Sequence, residues 1–233
     1  MKKLFTLAMA ILSFYSFPSW AENWDFPYLE TTGYGQVVLK PDMAEFTVRV
    51  EESTLTAENA KKRVDSVVSK FIERLTDAGV NRDEITATNI HLSPKFSYLK
   101  SGKSELVGYQ ATRSITVMVN QLEDLNHYLD RALDAGINRI DSIELKVKNQ
   151  KEHQIMARKA AINDANEKAE SLAKGFDIEL DGVWRISYNS SHTQPTMMKA
   201  MAMDNNTGIS PNGYEDSKLV IRDKVTVTYK LSN

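Results

Sequence analysis

Apolar and polar residues alternate along this chain with two periods, and the switches between them mark most of its elements. From Thr31 the sequence reads TTGYGQVVLKPDMAEFTVRVEES. Gly33 and Gly35 open a strand and Pro41 and Asp42 make a turn. Ala44, Phe46, Val48 and Val50 then alternate with Glu45, Thr47, Arg49 and Glu51. This predicts a β-hairpin with one buried face. Ala57, Ala60, Val64, Val67, Val68, Phe71, Leu75 and Ala78 follow the 3.6-residue period up to Gly79, which predicts a helix and its stop. Two strands over 84–98 and 105–119 come next, joined around Ser101 and Gly102. Arg113 is the one charged residue on the apolar side of the second. Asn120 reads as an N-cap, with Glu123 completing a capping box, for a helix that uses Leu122, Leu125, Leu129, Ala132 and Leu133 and stops at Gly136. A strand over 139–147, a helix over 157–176, a strand over 178–188, an irregular loop over 189–217 and a closing strand over 219–231 complete the chain.

The helix over 157–176 has an unusual face. Alanine recurs at every fourth position, at Ala157, Ala161, Ala165, Ala169 and Ala173. On a helical wheel Ile162, Ala165, Ala169, Leu172 and Phe176 form one apolar stripe. Gly175 is expected as the left-handed stop, with Phe176 folding back on the last turn. Small residues on an i+4 row let another element approach closely, so the pattern specifies a tight structural contact.

The first 21 residues carry Lys2 and Lys3, an apolar run over 4–17, and Ser19 and Ala21 at the small-residue cleavage positions. They predict a secretory signal peptide and hence an exported protein. No later stretch reaches the length and apolarity of a membrane-spanning helix. Residues 22–29 read as an N-terminal tether. The whole sequence has 29 basic and 31 acidic residues; without Lys2 and Lys3 the balance is 27 to 31, a formal charge of −4. A mildly acidic chain without a basic block is a poor nucleic-acid binder. Cysteine is absent, so stability rests on burial, which about 212 residues can supply.

Gly33-Tyr34-Gly35 ahead of Pro41-Asp42-Met43-Ala44, Thr88-Asn89-Ile90 leading to Pro94 and Tyr98, Gly108-Tyr109, and the alanine helix with Lys168-Ala169 and Leu172-Ala173 together resemble the SIMPL-domain family, and within it the bacterial periplasmic branch. The resemblance spans nearly all of the chain after residue 21, and its motifs are structural. It implies an α+β fold, a periplasmic location, a link to defence against reactive oxygen and, in some relatives, a large ring-like homo-oligomer.

Catalytic signatures are missing from the sequence. His91, His127, His153 and His192 sit on different elements without metal-ligand spacing. There is no GxSxG, and a cysteine nucleophile is excluded. Gly102-Lys103-Ser104 imitates the end of a phosphate loop, but Ser97 stands where the first glycine belongs, and the run joins two strands. The distinctive chemistry lies in the loop over 189–217, where Met197, Met198, Met201 and Met203 cluster near His192. These thioethers are candidate ligands for a soft ion such as Cu(I), candidate sites of sacrificial oxidation, or an adaptable apolar patch for a neighbouring subunit.

The expected fold is α+β, antiparallel sheet with long helices packed on it, in two intertwined halves: β-β-α-β-β over 30–119 and α-β-α-β-β over 120–233. Strands near Gln36 and Val227, from opposite chain ends, are expected to pair, since both edges otherwise stay open. The expected function is non-enzymatic, without a cofactor, with a second copy of the chain as partner.

Overall fold

The structure is a computed structural model that describes residues 26–98, 100, 102–189, 196–198 and 217–232. It contains two antiparallel sheets and three long helices, the α+β architecture expected from the sequence. Strand β2 (Met43–Thr54) is central to the larger sheet. It pairs on one side with β5 (Ser104–Val119) and on the other with β6 (Arg139–Lys146), while β3 (Ile85–Ala87) and β4 (His91–Tyr98) follow one another along the far edge of β5. In the smaller sheet β9 (Lys218–Ser232) is central. Strand β1 (Tyr28–Leu39) lies on one side of it, and β7 (Glu179–Ser187) and β8 (Thr196–Met198) share the other.

The pairing of the two chain ends is therefore present: β1 and β9 run together over twelve residues, with Gln36 opposite Arg222 and Val227 opposite Thr31. The expected hairpin is not. The strands before and after Pro41-Asp42 belong to different sheets, and the turn carries the chain between them. Asp42 fixes that crossing. Its N–H donates to the Lys146 carbonyl (3.2 Å), its carbonyl accepts from Leu122 N–H (3.2 Å), and its Oδ1 accepts from Lys148 N–H (2.8 Å). The strand predicted over 84–98 is likewise split, with a 3-10 turn at Arg82–Glu84 followed by β3 and β4.

Helices α1 (Ala57–Asp77) and α2 (Leu125–Ala135) cover the larger sheet. Ala60, Val64, Val68, Phe71 and Leu75 of α1 meet Phe46, Val48, Val50, Ile115 and Val117 in the main core. Each of the two helices ends at a glycine with positive φ, Gly79 and Gly136, so these two predicted stops hold. The predicted capping box does not form: the side chain of Asn120 donates instead to Glu84, and Gln121 precedes a 3-10 turn at Leu122–Asp124.

Helix α3 (Gln150–Gly175) covers the smaller sheet, and its buried face is the alanine row alone: Ala157, Ala161, Ala165, Ala169 and Ala173. Ile162, Leu172 and Phe176 of the predicted stripe are exposed. The reason is distance. A Cβ on Gly33 would lie 1.9 Å from the carbonyl oxygen of Ala161, and one on Gly35 2.0 Å from that of Ala157. The backbones of strand and helix are in contact there, and only side chains of one carbon or none fit between them. Gly33 and Gly35 lie inside β1 and do not begin it. Gly175 is the last helical residue, and the left-handed turn is made by Asp177 (φ 55°), two residues later.

Candidate functional site

The methionine-rich loop over 189–217 lies largely outside the described residues, as do His192, Met201 and Met203. Its described part is β8, where Met197 pairs with Leu219 and Met198 with Lys218 along the edge of β9. Met197 is 57% exposed.

The base of that loop is held by a polar cluster. Tyr188 stands just before the loop and Asp223 shortly after it. The Tyr188 hydroxyl donates to Asp223 Oδ2 (3.0 Å), Gln154 Nε2 donates to the same oxygen (3.0 Å), and Lys224 N–H donates to Oδ1 (2.8 Å). Arg158 completes the group, with Nε 2.8 Å from the Tyr188 oxygen and 3.4 Å from Asp223 Oδ2, and its guanidinium over the Tyr188 ring. The side chain of Asp223 is only 6% exposed. Burial by itself raises its pKa, but the donors from Gln154, Lys224 and Tyr188 and the charge of Arg158 outweigh it and hold the carboxyl below the ordinary aspartate range. Burial, then the bond to Asp223, pushes the Tyr188 hydroxyl up. Every member has a partner, so this group acts as a clamp. A further bond extends it into the loop: Arg222 Nη1 donates to Thr196 Oγ1 of β8 (2.8 Å). Arg158 of α3 thus belongs to this clamp. Arg113 donates to the Thr88 carbonyl (2.8 Å) and faces Asp65 (3.5 Å).

Among the described residues, His91, His127 and His153 lie on three separate elements, β4, α2 and α3. His127 accepts from Arg131 one turn along α2, and Nδ1 of His153 is buried without a hydrogen-bond partner. Among the described residues no three His, Cys, Asp or Glu side chains are placed to hold a metal ion. Gly102, with φ 78° and open space around it, lies in the turn between β4 and β5.

Two surfaces that the sequence pattern did not single out are apolar and uncovered. The first is the hairpin arm formed by β4 and the start of β5, which continues past the end of β2: the last β2 pair is Thr54 with Tyr109, whereas β4 pairs on to Tyr98–Ser104. On β4, Leu92, Pro94, Phe96 and Tyr98 alternate with Ser93, Lys95 and Ser97, so one face of the arm is apolar. Leu106 lies opposite Phe96. Phe96 is 49% exposed, Leu106 47% and Tyr98 82%, values far from those of a core face. Gly108 sets the bend at the base. Val107 is the extra residue of a bulge, and a Cβ on Gly108 (φ 154°) would meet the Thr54 carbonyl oxygen at 2.6 Å.

The second surface is on β7. Val183 and Ile186 pair with Tyr229 and Val227, which are packed under α3, so they point to the same side of the sheet, beyond the reach of the helix. They are 53% and 62% exposed. The opposite edge of the sheet is protected: Asp164 Oδ2 accepts the Tyr34 N–H (2.8 Å) and Lys168 Nζ donates to the Thr32 carbonyl (3.1 Å), occupying backbone groups on the open edge of β1.

Comparison with known proteins agrees with this anatomy. The family model SIMPL, described as a protein of unknown function (DUF541), matches residues 29–229, from the start of β1 to near the end of β9. The chain is 38% identical over 209 residues to "Uncharacterized protein YggE" of Edwardsiella ictaluri, covering 88% of this chain and 87% of that protein. It is 35% identical over 208 residues to the protein of the same name from Escherichia coli K12, covering 89% and 84%. The "26 kDa periplasmic immunogenic protein" of Brucella melitensis is 28% identical over 207 residues, covering 83% of each chain. No helix of the described residues is long and apolar enough to cross a membrane.

Proposed function

The chain belongs to the SIMPL family, and from that premise we propose that it is an exported, non-enzymatic protein of the bacterial periplasm that serves in defence against oxidative stress as a self-assembled scaffold. The observation that carries self-assembly is the bare apolar face of the β4–β5 arm. An isolated two-stranded ribbon is marginal in water, and an apolar strip alternating cleanly with polar residues has the pattern of a buried strand. A second copy supplies the missing cover. A periplasmic location is supported by the predicted signal peptide and by the name of the Brucella relative. Sedimentation of the chain lacking residues 1–21, at micromolar concentration, gives a single species several times heavier than one chain. A strict monomer there rejects the scaffold reading.

A second reading is favoured by the exposure of Met197 beside the clamp. Solvent-facing thioethers take up oxygen as sulfoxide and are restored by reductases, which suits a cysteine-free protein under oxidant attack. The same sulfurs are also suited to Cu(I). Peroxide treatment followed by mass spectrometry, and Cu(I) titration against a competing chelator, test the two. Replacement of Met197, Met198, Met201 and Met203 by leucine abolishes the sulfoxide adducts of this segment in the first case and copper retention in the second.

A further inference from the structure

We infer that the face of the smaller sheet turned away from α3 rests on an anionic phospholipid surface. The inference is independent of self-assembly. Even-numbered residues of β1 and β9 form this face, since their odd-numbered neighbours Thr31, Gly33, Val225 and Val227 meet the helix. On β9 the even positions supply Lys218, Arg222, Lys224 and Lys230, all exposed, and no acid. Arg185 of β7 pairs with Thr228 and adds a further base. Against these stand Glu30, and Glu179 and Asp181 at the start of β7. The face is therefore positive on a chain whose formal charge is −2. The bare face of the larger sheet is not: Arg49, Arg139 and Lys146 are matched there by Glu45, Asp141 and Glu144.

Aromatic rings stand among the bases. Tyr34 is 61% exposed, with the ammonium groups of Lys168 and Lys224 over its ring (5.2 and 5.8 Å). Trp184 packs edge-on against Phe26 (5.2 Å), and Lys230 lies over Phe26 (5.4 Å), which puts both rings on this face beside the exposed Tyr28. Such a mixture suits the boundary between lipid and water: rings settle among the headgroups, and lysine and arginine reach the phosphates. The course of the chain favours a bilayer over other polyanions. The predicted signal peptide ends at residue 21, five residues before Phe26, which is at most about 17 Å of extended chain. While that segment is inserted, this corner of the face is held at the membrane, and its own rings and cations make the contact.

Flotation with vesicles tests this without interference from assembly. The chain after residue 21 is mixed either with phosphatidylglycerol and phosphatidylethanolamine or with phosphatidylcholine alone. It floats with the first, is released by salt, and stays behind with the second. Lys224→Glu with Lys230→Glu weakens the partition roughly tenfold or more. Lys100→Glu with Lys103→Glu, the same change of charge at the turn between β4 and β5, leaves it nearly unchanged. Circular dichroism matching the wild type shows that both variants fold. With Trp24→Phe, Trp184 is the one tryptophan after residue 21, and brominated phospholipid quenches its emission. No flotation with the anionic vesicles, equal flotation with both lipids, equal loss from the two lysine pairs, or an unquenched Trp184 overturns the inference. None of these results bears on the scaffold reading, which is decided by sedimentation without lipid.

Discussion

At the scale of single residues, the decisive chemistry is the absence of side chains. Gly33 and Gly35 have ordinary strand conformations, so their requirement is steric: the carbonyl oxygens of α3 occupy the space where a Cβ would be. Gly35→Ala therefore destabilises the chain by about 3 kcal/mol, at the upper end of overpacking costs. Gly175→Ala has the opposite sign. It sits at the end of a helix with nothing within 4 Å of the added carbon, and it gains about 0.5 kcal/mol from the lower entropy of the unfolded chain. Chemical denaturation of the two variants separates these outcomes; a neutral Gly35→Ala removes the argument for backbone contact. Asp223 adds a dependence on pH. Its carboxyl is held below the usual range in the folded chain, so its contribution is fully present above the unfolded value, near pH 4, and is lost as pH falls through the lower folded value. Melting temperature followed between about pH 6 and pH 2 falls less steeply for Asp223→Asn than for the wild type. Parallel curves would mean that the clamp does not sense the proton.

At the scale of elements, helix α3 shows both how far the pattern reaches and where it stops. Its existence, its alanine row and the tightness of the contact were all legible, because residues four apart share a face. Its orientation was not. Each four-residue step turns about 40° further around the axis, so the row winds across the helix, and the helix lies along that inclined row and not along the stripe containing Ile162, Leu172 and Phe176. Apolar character predicted burial for those three, whereas close approach admits only alanine. Ala165→Leu and Ala169→Leu each cost on the order of 1 to 3 kcal/mol, measured by denaturant titration; unchanged stability in both would place the row on the surface. The strands tell a similar story. Alternation identified β2 and its buried face, but period two says nothing about which strand lies beside it, and Pro41-Asp42 reads equally as a hairpin turn or as a passage between sheets. Alternation in β4 likewise reveals an apolar face and not whether anything covers it. The methionine cluster was visible by composition, while the Arg158–Tyr188–Asp223 clamp at its base joins residues as much as 65 positions apart and left no local signal.

At the scale of the whole molecule, the smaller sheet joins the first and the last of the described strands, and the last of them is its centre. Removing residues 218–233 leaves β1, β7 and β8 with no partner in their sheet and takes Leu219 and Ile221 from the main core and Val225, Val227 and Tyr229 from beneath α3. The truncated chain loses its cooperative unfolding transition by circular dichroism; a preserved transition would show that the larger sheet and its two helices stand alone. The same pairing governs how the protein answers a mechanical load. Tyr28 lies opposite Lys230 and Leu39 opposite Leu219, so the two termini leave the fold at the same corner. A force drawing them apart opens this pair like a zipper, one rung after another, and never loads all the rungs in parallel as shear would. A tether at either end therefore hangs the molecule from one corner without stress, whereas traction between both ends peels β1 from β9 at low force and uncovers Gly33 and Gly35.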